Sequence, residues 1–254
     1  MILQRLNMDN SWCVEMSGTR LVVDPWLEGV EVDYFRWFNT QWHRTPPVAC
    51  AEVSGFDAAV ITQKYADHFH EQTLRQLKPG CVLAPGSLDG HLKKSFPHAK
   101  HRLFGADHRS HTVGAITVTQ LPTRRRIDPI YDAFVFDDGR ESLLVANHGF
   151  VFDDAHRAQL GSDWSCDVLL SPFNAYTLPR VLGGTVTPGL GGLKHLMGQV
   201  NPRAVIQTHD EAKHARGLVP TLARIEVFDA DTVEDHAWLS ERFVSINDYT
   251  PVTV

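Results

Sequence analysis

Residues 56–77, FDAAVITQKYADHFHEQTLRQL, run from an apolar strand through an acid and imidazole cluster into a helix. "FDAAVIT" (56–62) is uninterrupted enough to be a buried strand, and "EQTLRQL" (71–77) places Leu74 and Leu77 on one helical face. Asp67 and His68 lie in the loop between, at the C-terminal end of the strand. An α/β protein can aim several such loops at one ligand. Adjacent carboxylate and imidazole suit one divalent cation. Taken alone, the pair reads just as well as a turn-capping aspartate beside a surface histidine.

Two other strands end the same way. "SLLVANHG" (142–149) finishes in Asn147, His148 and Gly149, and "RAVIQTH" (203–209) runs into His209, Asp210 and Glu211. His148 before a glycine predicts a tight turn with open space beside the imidazole. A single strand-end histidine is more often structural than a ligand, but three apolar runs that all end in metal-competent side chains make one shared site an equal alternative. His70 follows the cluster but faces away from it on this reading, with Phe69 turned inward.

Outward from the quoted segment, "SWCVEM" and "RLVVDPW" read as strands joined by "SGT", and "PGCVLAP" as the strand after the first helix. "AITVTQLP" (115–122), "YDAFVFDD" (131–138) and "DVLLSP" (167–172) are further strands. Helices are expected near 153–160, around 190–199 and from about Glu211. Strands followed by strand–helix alternation thus occur twice, which predicts an α+β fold of two sheets with helices outside both. No linker or repeat divides the chain, so residues 1–254 are expected to form a single domain. Residues 28–50 fit neither period but carry Tyr34, Phe35, Trp37, Phe38 and Trp42. Aromatic packing on the core is the simpler account, and a wall or lid over a binding site the sharper one.

Composition sets outer bounds. Of 254 residues, 43% are hydrophobic and 21% charged, an ordinary globular balance. A formal net charge of −6 argues against coating nucleic acid. No run is apolar enough for a signal peptide or a bilayer span. Cys13, Cys50, Cys81 and Cys166 lack CxxC spacing, consistent with reduced thiols in a cytoplasmic protein.

The ordered motifs resemble the metallo-β-lactamase superfamily over nearly the whole chain. "GTRLVVDPWL" (18–27) is similar to its strand ending in Asp-Pro-Trp-Leu, and "TQKYADH" to its T-H-x-H-x-D-H signature. "LLVANHG" resembles the strand that carries the family's bridging aspartate, and "AVIQTHDE" the one that carries its last histidine. The "TQ…DHxHxxTL" form is similar to a divergent subgroup. The resemblance implies a four-layer αββα sandwich, two mixed β-sheets with helices on both outer faces.

It also implies a departure from two-metal chemistry. Gln63 and Tyr65 replace the two histidines of the first metal site. The third histidine's place falls in "LPTRRR", at Arg125, or at Arg124 with a slip in register. Arginine cannot bind a cation, and glutamine is a poor zinc ligand. The resemblance therefore predicts that the first metal is lost. At the second site Asp67, His68 and His209 match family ligands, and His148 stands where the bridging aspartate would be. Three histidines and one aspartate suit a single Zn, or Fe or Mn, ion. Asp24 matches the scaffold aspartate that supports the site, and Asp210 and Glu211 are candidates to orient a ligand histidine.

The leading expectation is a hydrolase with one divalent metal acting on a small substrate. Asp67 and Tyr65 are its candidate catalytic groups, and Arg125, Arg124 and Gln63 its candidate substrate-binding groups. Arg125 could hold an anionic group, or could instead pair with Asp67 and leave the site without metal. The alternative is a non-catalytic small-molecule-binding protein on the same scaffold. No nucleic-acid or membrane partner is expected, and no sequence feature points to a homo-oligomer.

Overall fold

The computed structural model describes residues 1–123 and 131–254, so Arg124 and Arg125 lie outside the described residues. The chain folds as two compact units. One comprises Met1–Gln120, Glu211–Thr221 and Asn247–Val254, the other Leu121–Asp210 and Leu222–Ile246.

The first unit is built on a seven-stranded mixed sheet. Its strands in spatial order are Val252–Thr253, Ile2–Arg5, Trp12–Met16, Thr19–Val23, Ala58–Val60, Cys81–Pro85 and Lys100–Phe104. The first four pair antiparallel, as short turns such as Ser17-Gly18 allow. The last three run parallel to Thr19–Val23 and to one another. Parallel pairing of Val23 with Val60 brings the residues after both strands side by side, which places Asp24 next to Ile61 and Thr62.

Helix Glu71–Leu77 follows, with Thr73 and Leu74 buried. Its N-cap is His70, whose Nδ1 accepts from the Thr73 amide at 3.3 Å and meets its hydroxyl at 2.9 Å. His70 is thus buried rather than outward-facing, because the first turn of the helix needs an acceptor there. Phe69 packs inward with Leu74, Leu88, Leu92 and Phe96.

A small sheet orders part of the segment that fits neither period. Glu31–Asp33 and Asn39–Trp42 form a hairpin, and His214–Arg216 pairs with the latter. The helix expected from Glu211 is therefore replaced by this third strand, with a helix following only at Leu218–Leu222. Tyr34, Phe35 and Trp37 at the hairpin tip are 67%, 60% and 65% exposed, so these three aromatics do not pack on the core.

The second unit contains strands Ala204–Thr208, Val168–Pro172, Ser142–Val145 and Ala133–Asp137 in that order. The first three are parallel, so the residues after Thr208 and Val145 emerge at one edge, on either side of Pro172. Helix Gly189–Val200 covers this unit's core with Leu193, Leu196, Met197 and Val200. The α+β class and the mixed sheets expected from the sequence are present. Among the described residues, no helix is long and apolar enough to cross a membrane.

Candidate metal centre

In the first unit the site is built around Asp24. Its amide donates to the Val60 carbonyl at 2.9 Å, which turns the carboxylate back over the neighbouring strand end. Asp24 Oδ1 accepts from the Thr62 amide at 2.7 Å, and Oδ2 from the Thr62 hydroxyl at 2.6 Å. Oδ2 also meets His68 Nδ1 at 2.7 Å. A carboxylate only accepts, so Nδ1 carries the proton and Nε2 is left as the imidazole's basic atom. Clamping one ring nitrogen on a carboxylate is how metal-bound histidines are oriented.

His68 is fully buried. Burial favours its neutral form, but the carboxylates of Asp67 and Asp24 outweigh that and hold its pKa above the ordinary histidine value. Asp67 Oδ2 lies 3.4 Å from Nε2, and Gln63 Nε2 lies 2.5 Å from the same nitrogen. Gln63 is therefore buried against the very atom that a metal would use. Tyr65 is half-buried, with its ring 6.5 Å from that of Tyr34 and the Lys64 ammonium 5.3 Å from its centroid.

In the second unit His148 and His209 follow the parallel strands, with ring centroids 5.1 Å apart. Both are half-buried. His148 has φ 58° and His209 φ 53°, and Asp24 in the first unit has φ 46°. This left-handed backbone is uncommon outside glycine, and such strain gathers at functional sites. The positive φ thus falls on His148 itself. Gly149 itself is closely packed: a Cβ there would meet Val186 O at 3.3 Å and Pro188 Cδ at 3.4 Å.

Glu211 serves a different purpose from the one expected. Its Oε2 meets His43 Nδ1 at 2.5 Å, and Oε1 accepts from the amides of Arg44 and Thr45 at 2.8 Å each. His43 Nε2 in turn meets the Trp26 carbonyl at 3.1 Å, and the His43 ring packs on Trp26 at 3.9 Å. Though burial alone would raise the Glu211 pKa, the bonds to His43 and to the backbone hold it below the usual glutamate range. No sequence signal marks this pair, whose members are 168 residues apart.

Residues 7–209 match the model of the beta-lactamase superfamily domain. The chain belongs to that superfamily. The solved structures agree on its metallo-β-lactamase fold. An isothiocyanate hydrolase from Delia radicum gut bacteria shares 14% identity and a TM-score of 0.70, covering 100% of this chain and 99% of its own. A possible metal-dependent hydrolase from Veillonella parvula shares 12% identity and a TM-score of 0.73 over 100% and 99% of the two chains. CmlA, a diiron β-hydroxylase from Streptomyces venezuelae, shares 14% identity and a TM-score of 0.64; the match covers 100% of this chain and 54% of CmlA. No curated protein matches the chain.

The donors present fit a metal better than they fit a packed core. The buried His68 presents a basic nitrogen held by a carboxylate, and two further imidazoles stand at strained strand ends. Neutral imidazole nitrogens with a nearby carboxylate are the set that zinc, iron(II) and manganese(II) accept.

Proposed function

We propose that the protein is a metal-dependent hydrolase that uses a single divalent ion, Zn or Fe or Mn, held by His68, His148 and His209, with Asp67, the ligand that the family resemblance adds, as the fourth. The observation that carries this reading is the Asp24–His68 bond at 2.7 Å, which leaves His68 Nε2 as the only basic nitrogen of a buried ring. The lost first site supports it too: Gln63 and Tyr65 stand at two of its ligand positions and offer little to a second ion. When bound, the ion would lower the pKa of a water molecule and polarise a carbonyl or phosphoryl oxygen. Asp67, 17% exposed beside His68, would take up the water's proton. Tyr65 would donate its hydroxyl to the developing oxyanion. Arg125, with Arg124, would orient an anionic group of a small substrate, and Gln63 would shift from His68 to contact that substrate.

A second reading rests on one specific contact. Gln63 Nε2 at 2.5 Å from His68 Nε2 already satisfies that nitrogen, as expected of a non-catalytic small-molecule-binding protein. Metal analysis of wild type and Gln63→Ala separates the two. A stoichiometric ion in wild type supports the hydrolase. Uptake by neither protein, together with no hydrolysis of lactone, thioester or phosphodiester probes, supports the binding protein.

A further inference from the structure

Beside Asp67 the first unit packs three further carboxylates, Glu31, Asp33 and Asp9. Glu31 and Asp33 are two apart on one strand and so share a face. Asp33 accepts from the Ala66 amide, which ties that face to the loop carrying Asp67. Asp9 is buried in the same environment and pairs with Lys213 at 2.7 Å. The Lys213 ammonium also feels Asp67 and Glu31, and its pKa is raised although burial opposes this. Lys213 thus faces Asp9, Asp67, Glu31 and Asp33 together. Burial raises the pKa of Glu31 well above the usual range, and Asp67 and Asp33 add to the effect. Asp33 is raised in the same way, by burial and then by Asp67.

The neutral groups add an independent observation, buried acceptors in excess of donors. Asn39 gives its amide nitrogen to Asp33 Oδ2 at 2.8 Å, and Asn10 gives its own to the Asp67 carbonyl at 2.9 Å. Flipping either amide would set oxygen against oxygen, so both orientations are fixed. Asn10 Oδ1 and Asn39 Oδ1 are consequently acceptors without a donor among the described residues, and so is Glu31 Oε2. These three residues are 3%, 4% and 2% exposed, so solvent does not supply the donors. Trp26, whose ring lies 5.5 Å from the Lys213 ammonium, leaves one donor, Nε1, in the opposite state. The balance still calls for a donor-rich cation.

A bare metal ion fits poorly. Among the described residues no three of these carboxylates bring an oxygen each within 4.8 Å of one another. A larger cation that donates through several N–H groups suits spaced acceptors better. Elsewhere on the same loop the Lys64 ammonium lies over the Tyr65 ring at 5.3 Å, and Tyr34 meets that ring edge-on at 6.5 Å.

We propose that Glu31, Asp33 and the amide oxygens of Asn10 and Asn39 form a binding site for the primary ammonium group of a small aliphatic amine. The site lies beside Asp67 and His68 and, resting on the hydrolase reading, recognises the substrate's cationic end. It is a second recognition element, independent of the anionic group expected at Arg125.

Calorimetric titration of the full chain with butane-1,4-diamine at neutral pH tests this, with butane-1,4-diol at matched ionic strength as the uncharged control. The diamine is expected to bind and the diol not. Glu31→Gln and Asp33→Asn should each weaken the diamine about tenfold or more. Asp33 is half-buried, so its variant carries the comparison if Glu31→Gln fails to unfold cooperatively. Equal heats from diamine and diol would overturn the proposal. So would unchanged affinity in the folded variants, which would mean that Glu31 is simply a protonated core residue. Metal content read on the same samples keeps the two ideas apart. A chain that holds metal but ignores the diamine refutes the amine site alone, and one that binds diamine without metal supports it while the metal reading fails.

Discussion

Replacing Asp24 by asparagine tests how the chain holds His68. The substitution keeps shape and volume but puts an NH2 group where Oδ2 was. Oδ2 accepts from the Thr62 hydroxyl at 2.6 Å and from His68 Nδ1 at 2.7 Å. Each bond to a buried carboxylate contributes about 1.5–3 kcal/mol. The hydroxyl can rotate to relieve part of the loss, so the lower end applies and the net cost is roughly 3 kcal/mol. For a chain of this length that predicts a fall in Tm of roughly 6–12 °C. The imidazole should respond as well. Facing a donor, Nδ1 gives up its proton to Nε2, the atom that would bind the ion, so metal affinity should fall about 10–100-fold. Thermal unfolding of the metal-free protein measures the first effect, and competition with a chromophoric zinc chelator the second. If Asp24→Asn melts within about 2 °C of wild type and takes up zinc equally well, the clamp is not what prepares His68.

Three further outcomes follow from the same geometry. Burial and two neighbouring carboxylates raise the Glu31 pKa, so the folded chain binds that proton more tightly than the unfolded one and loses stability as pH rises from the ordinary glutamate value through the raised one. Glu31→Gln should therefore melt higher than wild type at pH 8 in amine-free buffer, with the gap closing below about pH 4; a gap independent of pH would contradict this. Gly149→Ala should reduce metal affinity without unfolding the chain, because the new Cβ presses on Val186 O at 3.3 Å and displaces the neighbouring His148. Unchanged zinc competition would show that this close approach does not position the ring. Phe69→Ala should cost about 3–5 kcal/mol by emptying a cluster with Leu74, Leu88 and Phe96, as read from denaturant unfolding.

The strands that carry the candidate ligands were readable from sequence because each is a continuous apolar run, and helix Glu71–Leu77 because its leucines repeat with helical period. The hairpin Glu31–Asp33 and Asn39–Trp42 was not. Its strands are three and four residues long, and its third partner, His214–Arg216, is about 170 residues away. Such pairing leaves no local pattern, and the same strand displaced the helix expected after Glu211. His70 carried a signal that spacing alone could have shown: it immediately precedes a helix whose third residue is Thr73, the position an N-cap acceptor serves. The Glu31 and Asp33 pair was visible as alternating acids. Its meaning depends on Asn10, Asn39 and Lys213 closing around it, which only the tertiary fold supplies.

The central claim is a single divalent ion held by His68, His148 and His209 with Asp67. Elemental analysis of the chain purified without added metal, beside His148→Ala and His209→Ala, measures it directly. One equivalent of zinc, iron or manganese per chain in wild type, lost in both variants, is the predicted result. No stoichiometric metal in wild type, two equivalents per chain, or one equivalent retained by both variants would contradict it.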